Sequence, residues 1–235
     1  MNAGTSYHTY HPGMRIIFFD IDGTLLRSGG AGKAAMHTAL TRGFGLDKVR
    51  EDINFSGRTD PGIGYELMKL HDIEPSDDNL AAMQSLYLDT LAEQLPKHRS
   101  AHVLPGVRRL LDELAGLDDV TLALLTGNVE RGARIKLEHF GLWDYFRFGG
   151  FGDGRLERDD VARAAIAEAE AHLGHVDASK AWVIGDTPLD VRCARTVGAK
   201  VLAVATGWHN EKQLAECEPD LMLADLKGVT GETFV

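Results

Sequence analysis

Two pairs of aspartates stand where short apolar runs end: Asp20 and Asp22 after residues 14–19, Asp186 and Asp190 after residues 181–184. A third apolar run, residues 120–125, ends in Thr126. One aspartate after a strand is readily a turn residue or a helix cap. Polar residues at all three ends together are a weaker coincidence. If the runs lie side by side, four carboxylates crowd into one crevice, and like charges oppose one another's ionisation. A bound cation relieves that repulsion. Hard oxygen ligands with open positions suit Mg²⁺, which keeps water molecules and bridges to substrate phosphate.

The runs that end in these residues are too short for helices and read as buried strands. Residues 201–205 form a fourth and residues 221–223 a weaker fifth. Helical patterns lie between them, over residues 107–117, 129–140, 160–173 and 189–197. Asn128 is the expected N-cap of the second of these, and Thr187-Pro188 opens the last as a cap followed by proline. Strands alternating with helices of this length imply an α/β fold, a Rossmann-like parallel sheet with crossover helices. Sites in such sheets form at the carboxyl ends of the strands, where the aspartates fall.

Residues 30–99 break the alternation. They hold three helical patterns, 32–43, 62–71 and 79–98, and no convincing strand. A small α-helical domain over residues 30–100 is therefore expected, inserted into a core built from 1–29 and 101–235. Gly29-Gly30 and residues 100–104 are its expected hinges. Within the insertion, Asp60-Pro61 reads as N-cap and first helical residue. The preceding Arg58 is a forked donor suited to a carboxylate or phosphate. The alternative for this loop is a purely structural cap.

The formal net charge of −10 argues against nucleic acid as a partner, which needs a basic face. Residues 1–13 are polar and lack the apolar stretch of a signal peptide, and no apolar run approaches membrane-spanning length. Cys193 and Cys217 form neither a CxxC pair nor a disulfide framework. The expectation is a cytoplasmic protein with reduced thiols, away from membranes, as a monomer or homodimer. Gly29-Gly30-Ala31-Gly32-Lys33 evokes a P-loop, but Arg27 replaces the first glycine and Ala34 the Ser or Thr, so it reads as a hinge opening a helix. His37, His71, His98, His102 and His139 show no ligand spacing, and the aromatic residues from Trp143 to Phe151 read as core.

Asp20-Ile21-Asp22-Gly23-Thr24 after an apolar strand resembles the first motif of the haloacid dehalogenase superfamily of phosphatases. Thr126-Gly127-Asn128 resembles the second motif, and Gly185-Asp186-Thr187-Pro188-Leu189-Asp190 the fourth, with its GDxxxD spacing. The resemblance runs from Met14 to about Leu226, and the helical insertion matches the cap that one branch of the family carries between its first two motifs. Within that branch the chain is most similar to the phosphoglycolate phosphatases.

The resemblance implies that Asp20 attacks phosphorus and forms an aspartyl-phosphate, and that Asp22 first protonates the leaving alcohol and then activates water. It implies Mg²⁺ held by Asp20, Asp186 and the Asp22 carbonyl, with Asp190 in support. Thr126, Gly127, Asn128, Gly23 and Thr24 would line the phosphate and Arg58 would read the substrate, a small phosphorylated metabolite with phosphoglycolate first. The family's third motif is a basic residue, usually lysine, before a helix, and no lysine lies within residues 149–160. Lys136 is set aside as mid-helix and Lys180 as preceding its strand. Arg155 and Arg158 remain, and Arg158, just before Asp159-Asp160, matches the position better. Two rival activities stay open: a β-phosphoglucomutase-like sugar phosphomutase, and a catalytically silent phosphate-binding protein. Carbon–halogen cleavage is disfavoured, since it needs no Asp22 to protonate an alcohol.

Overall fold

The computed structural model describes residues 14–50 and 52–235. Residues 1–13, on which the reading against a signal peptide rests, lie outside it. The elements run β1 (Arg15–Phe19), β2 (Leu26–Arg27), α1 (Ala31–Phe44), α2 (Asp60–Leu70), α3 (Asp77–Gln94), β3 (His102–Val103), α4 (Val107–Ala115), β4 (Val120–Leu125), α5 (Glu130–His139), β5 (Gly149–Gly150), α6 (Arg158–Leu173), β6 (Trp182–Gly185), α7 (Pro188–Thr196), β7 (Lys200–Val204), α8 (Glu211–Ala215) and β8 (Leu221–Leu223).

Six strands form one sheet in the order β5-β4-β1-β6-β7-β8, parallel at every pairing. The sheet is buried on both faces, which is why its strands read as unbroken apolar runs. Alternate residues still divide between two cores. Ile17, Phe19, Leu122, Leu124 and Ile184 join Leu110, Leu111 and Leu114 of α4 and Leu137 of α5 on one face. Phe18, Ala123, Leu125 and Val183 meet Val161, Ala165 and Ala169 of α6 and Val191 of α7 on the other. Helix α6 is alanine-rich because it comes very close to the sheet. A Cβ on Gly150 of β5 would lie 2.6 Å from the Val161 carbonyl and 2.7 Å from the Ala165 Cβ. Gly149-Gly150 has no side chains to show a strand pattern, so this edge strand was not expected.

Helices α1, α2 and α3 build a third core from Ala35, Met36, Leu40, Leu67, Met68, Leu88 and Leu91, joined from the sheet side by Val129. The chain enters this helical unit after β2 and leaves it before β3, and these pair antiparallel, Leu26 with Val103 and Arg27 with His102. Both are two-residue strands too short to leave a periodic signal. Gly29 follows the pair with φ 64°, and a Cβ there would lie 2.6 Å from Ser100 Oγ. The two segments expected as hinges therefore touch each other. Among the described residues no helix is long and apolar enough to cross a membrane.

Three of the helix starts that differ from expectation bear on the site. Thr59, not Asp60, is the N-cap of α2, with its hydroxyl accepting from Gly62 N at 3.0 Å. Val129, not Asn128, is the N-cap of α5. Helix α6 begins at Arg158 itself rather than after it. Each shift has its cause in the site.

Candidate active site

Asp20 continues β1 beyond the sheet edge, with its N–H bonded to the Ile184 carbonyl of β6 at 3.0 Å. The chain then folds back at once: Gly23 N–H reaches Leu26 O at 2.9 Å and Leu25 N–H reaches Ile21 O at 2.9 Å. Gly23 takes φ 90°, and a Cβ there would lie 2.6 Å from Asp186 Cγ. Glycine is thus required twice over, by the left-handed backbone and by the close carboxylate. Thr24 Oγ1 donates to Asp186 Oδ1 at 3.3 Å. Across β6, Asp190 is fixed by the capping box of α7. Its Oδ2 accepts from Thr187 N at 3.0 Å and Thr187 Oγ1 at 2.7 Å.

Arg158, buried at the first turn of α6, ties these ends together. Its Nη2 donates to Asp20 Oδ1 at 2.8 Å, Asp190 Oδ1 at 2.6 Å and the Leu125 carbonyl at 3.0 Å. Burial works against its charge, but Asp190 and Asp20 outweigh burial and hold the guanidinium above its ordinary range. Arg155 instead bonds the carbonyls of Phe151 and Asp153 in its own loop.

One guanidinium does not neutralise this cluster. Asp20, Asp186 and Asp190 place carboxylate oxygens within 4.8 Å of one another, all buried. Asp20 is pushed up to about 6, first by burial and then by Asp190 and Asp22, against the pull of Arg158. Asp186 is pushed well above the carboxylate range, by burial and then by Asp190 and Asp20. An all-oxygen, strongly anionic, partly uncompensated cluster fits a hard divalent cation such as Mg²⁺.

Asp22 and Thr126 are joined through Asn128. Thr126, fully buried at the end of β4, accepts through Oγ1 from Asn128 N at 3.3 Å and Asn128 Nδ2 at 2.9 Å. Asn128 Nδ2 also donates to Asp22 Oδ2 at 2.9 Å. The Asn128 side chain is thus spent on the site rather than on the helix. Caps for α5 come from elsewhere in the chain: Asp60 Oδ2 accepts from Val129 N at 3.0 Å and Asp153 Oδ2 from Glu130 N at 2.7 Å.

Lys136 does reach the site, contrary to its dismissal as mid-helix. Its Nζ lies 2.5 Å from Asp22 Oδ2 and 2.5 Å from Asn128 Oδ1, and the residue is 3% exposed. Its Cα stands about 9 Å down α5 at 1.5 Å per residue. Helical side chains lean toward the N-terminus, and the lysine stem recovers most of that distance. Burial opposes its charge, but Asp22 and Asp60 hold the ammonium above its ordinary range.

The helical insertion closes over this cluster through residues 57–60. Asp60 N donates to the Gly127 carbonyl at 2.8 Å and Thr59 Oγ1 to the Leu156 carbonyl at 2.9 Å. The Arg58 carbonyl occupies the space a Gly127 Cβ would need, and that Cβ would also lie 3.0 Å from Arg158 Nη1. The Arg58 guanidinium pairs with Glu66 of α2. Thus the aspartates, Gly23, Thr24, Thr126, Gly127, Asn128 and Arg158 converge, while Arg58 brings its backbone and turns its charge toward Glu66. Sequence reasoning missed Lys136, the capping roles of Asp60 and Asp153, and the Thr206-Gly207 turn. Thr206 Oγ1 donates to Gly23 O at 2.6 Å, and a Cβ on Gly207 would collide with Asp186.

Comparison with known proteins agrees with this geometry. The family model for haloacid dehalogenase-like hydrolases matches residues 17–195. A protein of Dickeya dadantii named probable phosphatase IndB is 30% identical over 225 residues, covering 92% of this chain and 92% of its own. A phosphoglycolate phosphatase of Vibrio vulnificus is 30% identical over 220 residues, covering 91% and 93%. Among solved structures, CbbY from Rhodobacter sphaeroides in complex with phosphate superposes with a TM-score of 0.74 at 19% identity, over 94% of this chain and 98% of that one. By sequence match, fold and site, the chain belongs to the haloacid dehalogenase-like hydrolase family and is one of its phosphatases.

Proposed function

We propose that the protein hydrolyses a small phosphorylated metabolite, with phosphoglycolate as the first candidate, through an aspartyl-phosphate on Asp20. The observation that carries this is the Asp20 carboxylate, set at a strand end with Arg158 at 2.8 Å and a second carboxyl, Asp22, two residues on. Asp20 attacks phosphorus as the ester P–O bond breaks, and Asp22 delivers its proton to the departing oxygen. Asp22 then takes a proton from water, which attacks the acyl phosphate and frees Asp20. Thr126, Asn128 and the backbone around Gly23, Thr24 and Gly127 orient the phosphoryl oxygens, and Arg158 opposes their charge. Asp20, Asp186 and the Asp22 carbonyl would hold Mg²⁺, with Asp190 in support, and the ion would supply further positive charge at the phosphoryl group. Residues 30–100 form the cap, carried on the β2–β3 pair, and cover the site while residues 57–60 are seated. The relatives named for phosphoglycolate support the choice of substrate. The free thiols Cys193 and Cys217 and the net charge of −10 support a cytoplasmic enzyme that does not engage nucleic acid.

Release of inorganic phosphate from phosphoglycolate tests the reading directly. It should require Mg²⁺, stop on chelation and return on adding the ion back. Ca²⁺ should inhibit, because its looser coordination misplaces the nucleophile. Full turnover in metal-free buffer would remove the metal from the reaction.

Arg58 gives a second measurement. If its guanidinium leaves Glu66 to meet an anionic substrate, Arg58→Ala should lower kcat/KM for phosphoglycolate about tenfold or more, the scale of one charge-assisted hydrogen bond. A small aryl phosphate should be nearly unaffected. Equal losses on both would make Arg58 a structural part of the loop.

A further inference from the structure

Asp20 is buried and bonded to Arg158, but Asp22 is open. Its side chain is 39% exposed, and an aspartate that open has several rotamers available. Two donors restrain it. Asn128 Nδ2 at 2.9 Å and Lys136 Nζ at 2.5 Å both bond the same oxygen, Oδ2. In a protonated carboxyl the carbonyl oxygen is the better acceptor, so with both donors on Oδ2 the acid form of Asp22 favours its proton on Oδ1. The pair of donors therefore sets both the direction of the carboxyl and which oxygen delivers the proton.

Lys136 is in turn held by the cap. The first turn of α5 is capped by Asp60 through Val129 N at 3.0 Å, and Asp60 N bonds Gly127 O at 2.8 Å. Asp60 also faces Lys136 as its second carboxylate neighbour. The cap of α5 at Val129, and one of the carboxylates that act on Lys136, thus come from Asp60 of the cap loop.

We propose that Lys136 is a positioning residue for Asp22, and that Asp60 ties this positioning to the seating of residues 57–60, so the proton donor is aimed only when the cap is down. The inference rests on the reading of Asp22 as the acid. It adds no new bond-making step: the proton still passes from Asp22 Oδ1 to the leaving oxygen as the P–O bond breaks. A purely structural lysine would also neutralise Asp22, but its loss would slow all substrates alike.

The test is a leaving-group series with Mg²⁺ saturating, from p-nitrophenyl phosphate, whose phenolate needs little acid, to phosphoglycolate, whose alkoxide needs it. Lys136→Met keeps the volume of the buried stem. It should lose roughly 10²-fold in kcat/KM, which reports phosphoryl transfer to Asp20 before water attacks, on phosphoglycolate, the lower end of general-acid contributions, and under about threefold on the aryl ester. Asp60→Asn keeps an acceptor for Val129 N but removes the charge, and should show a smaller loss with the same selectivity. It also stands in if Lys136→Met melts below the assay temperature. Adding Lys136→Met to Asp22→Asn should cost under about threefold more, because both disable one step. Equal losses across the series, or none, for both variants overturn the proposal. Asp22→Asn run in parallel separates the two layers. If it is selective and the other variants are not, only the positioning role fails. If Asp22→Asn is itself unselective in kcat/KM, the acid assignment fails and this inference with it.

Discussion

Asp20→Asn is expected to lower kcat by at least roughly 10⁴, the scale of removing a nucleophile, while leaving the fold intact. An amide oxygen is a poor nucleophile toward phosphorus, and no other carboxylate holds the same position. Asp186 and Asp190 are each committed elsewhere, to Thr24 and to Arg158 with Thr187. The fold should survive because Asn fills the same volume and the exchange removes one charge from a buried, mutually repelling group. Arg158 keeps Asp190 and the Leu125 carbonyl as partners. Mass spectrometry of rapidly quenched parent enzyme should find the phosphoryl group on Asp20, and thermal melting should show the variant folded. Phosphate on another residue, or near-normal rates in Asp20→Asn, would reassign the nucleophile.

Arg158→Ala is expected to cost roughly 10²–10³ in kcat, the scale of losing one donor aimed at transition-state charge. Phosphoryl transfer spreads charge over three equatorial oxygens, and catalysis of it is largely electrostatic. Among the described residues Arg158 is the arginine bonded to Asp20. The same substitution should also lower stability, because it strands Asp20 and Asp190 in a buried site. Breaking a buried ion pair from one side costs about 3–5 kcal/mol. Melting with and without Mg²⁺ separates the two effects, since a bound cation would compensate the stranded carboxylates but not replace the donor. Arg158→Lys should recover part of both losses, returning the charge without the fork. Arg155→Ala should be mild, its guanidinium being bonded to carbonyls of its own loop. A near-normal Arg158→Ala enzyme, or a larger defect at Arg155, would move the cationic role elsewhere.

What the amino-acid sequence determined by itself was five of the six strands of the sheet, the ends of its central strands and the order of the motifs on them. Runs such as Arg15–Phe19 and Val120–Leu125 are buried on both faces, so apolar continuity marks them without knowledge of their partners. Asp20, Asp22, Thr126 and Asp186 are then placed by the chain direction alone. Arg158 could be brought near Asp20 on the same grounds, as a cation entering a helix on the strand-end side. The three helices of the insertion were equally legible from their periodicity, because each buries one face in a shared core.

Tertiary structure decided whatever depends on side-chain reach or on contacts between distant segments. Local rules made Asn128 a helix cap. It turns instead to Asp22 and Thr126, because Asp60, 69 residues away from Val129, and Asp153 supply the caps. Lys136 looked remote by its place along α5, yet a flexible stem leaning toward the helix N-terminus carries its charge to Asp22. Strands β2, β3 and β5 have two residues each, too few for a periodic pattern, and exist only because another strand lies beside them. A sequence pattern records which way a side chain faces on its own element. What that side chain meets there is set by how separate elements pack, and in this protein that packing places the cap loop and Lys136 at the site.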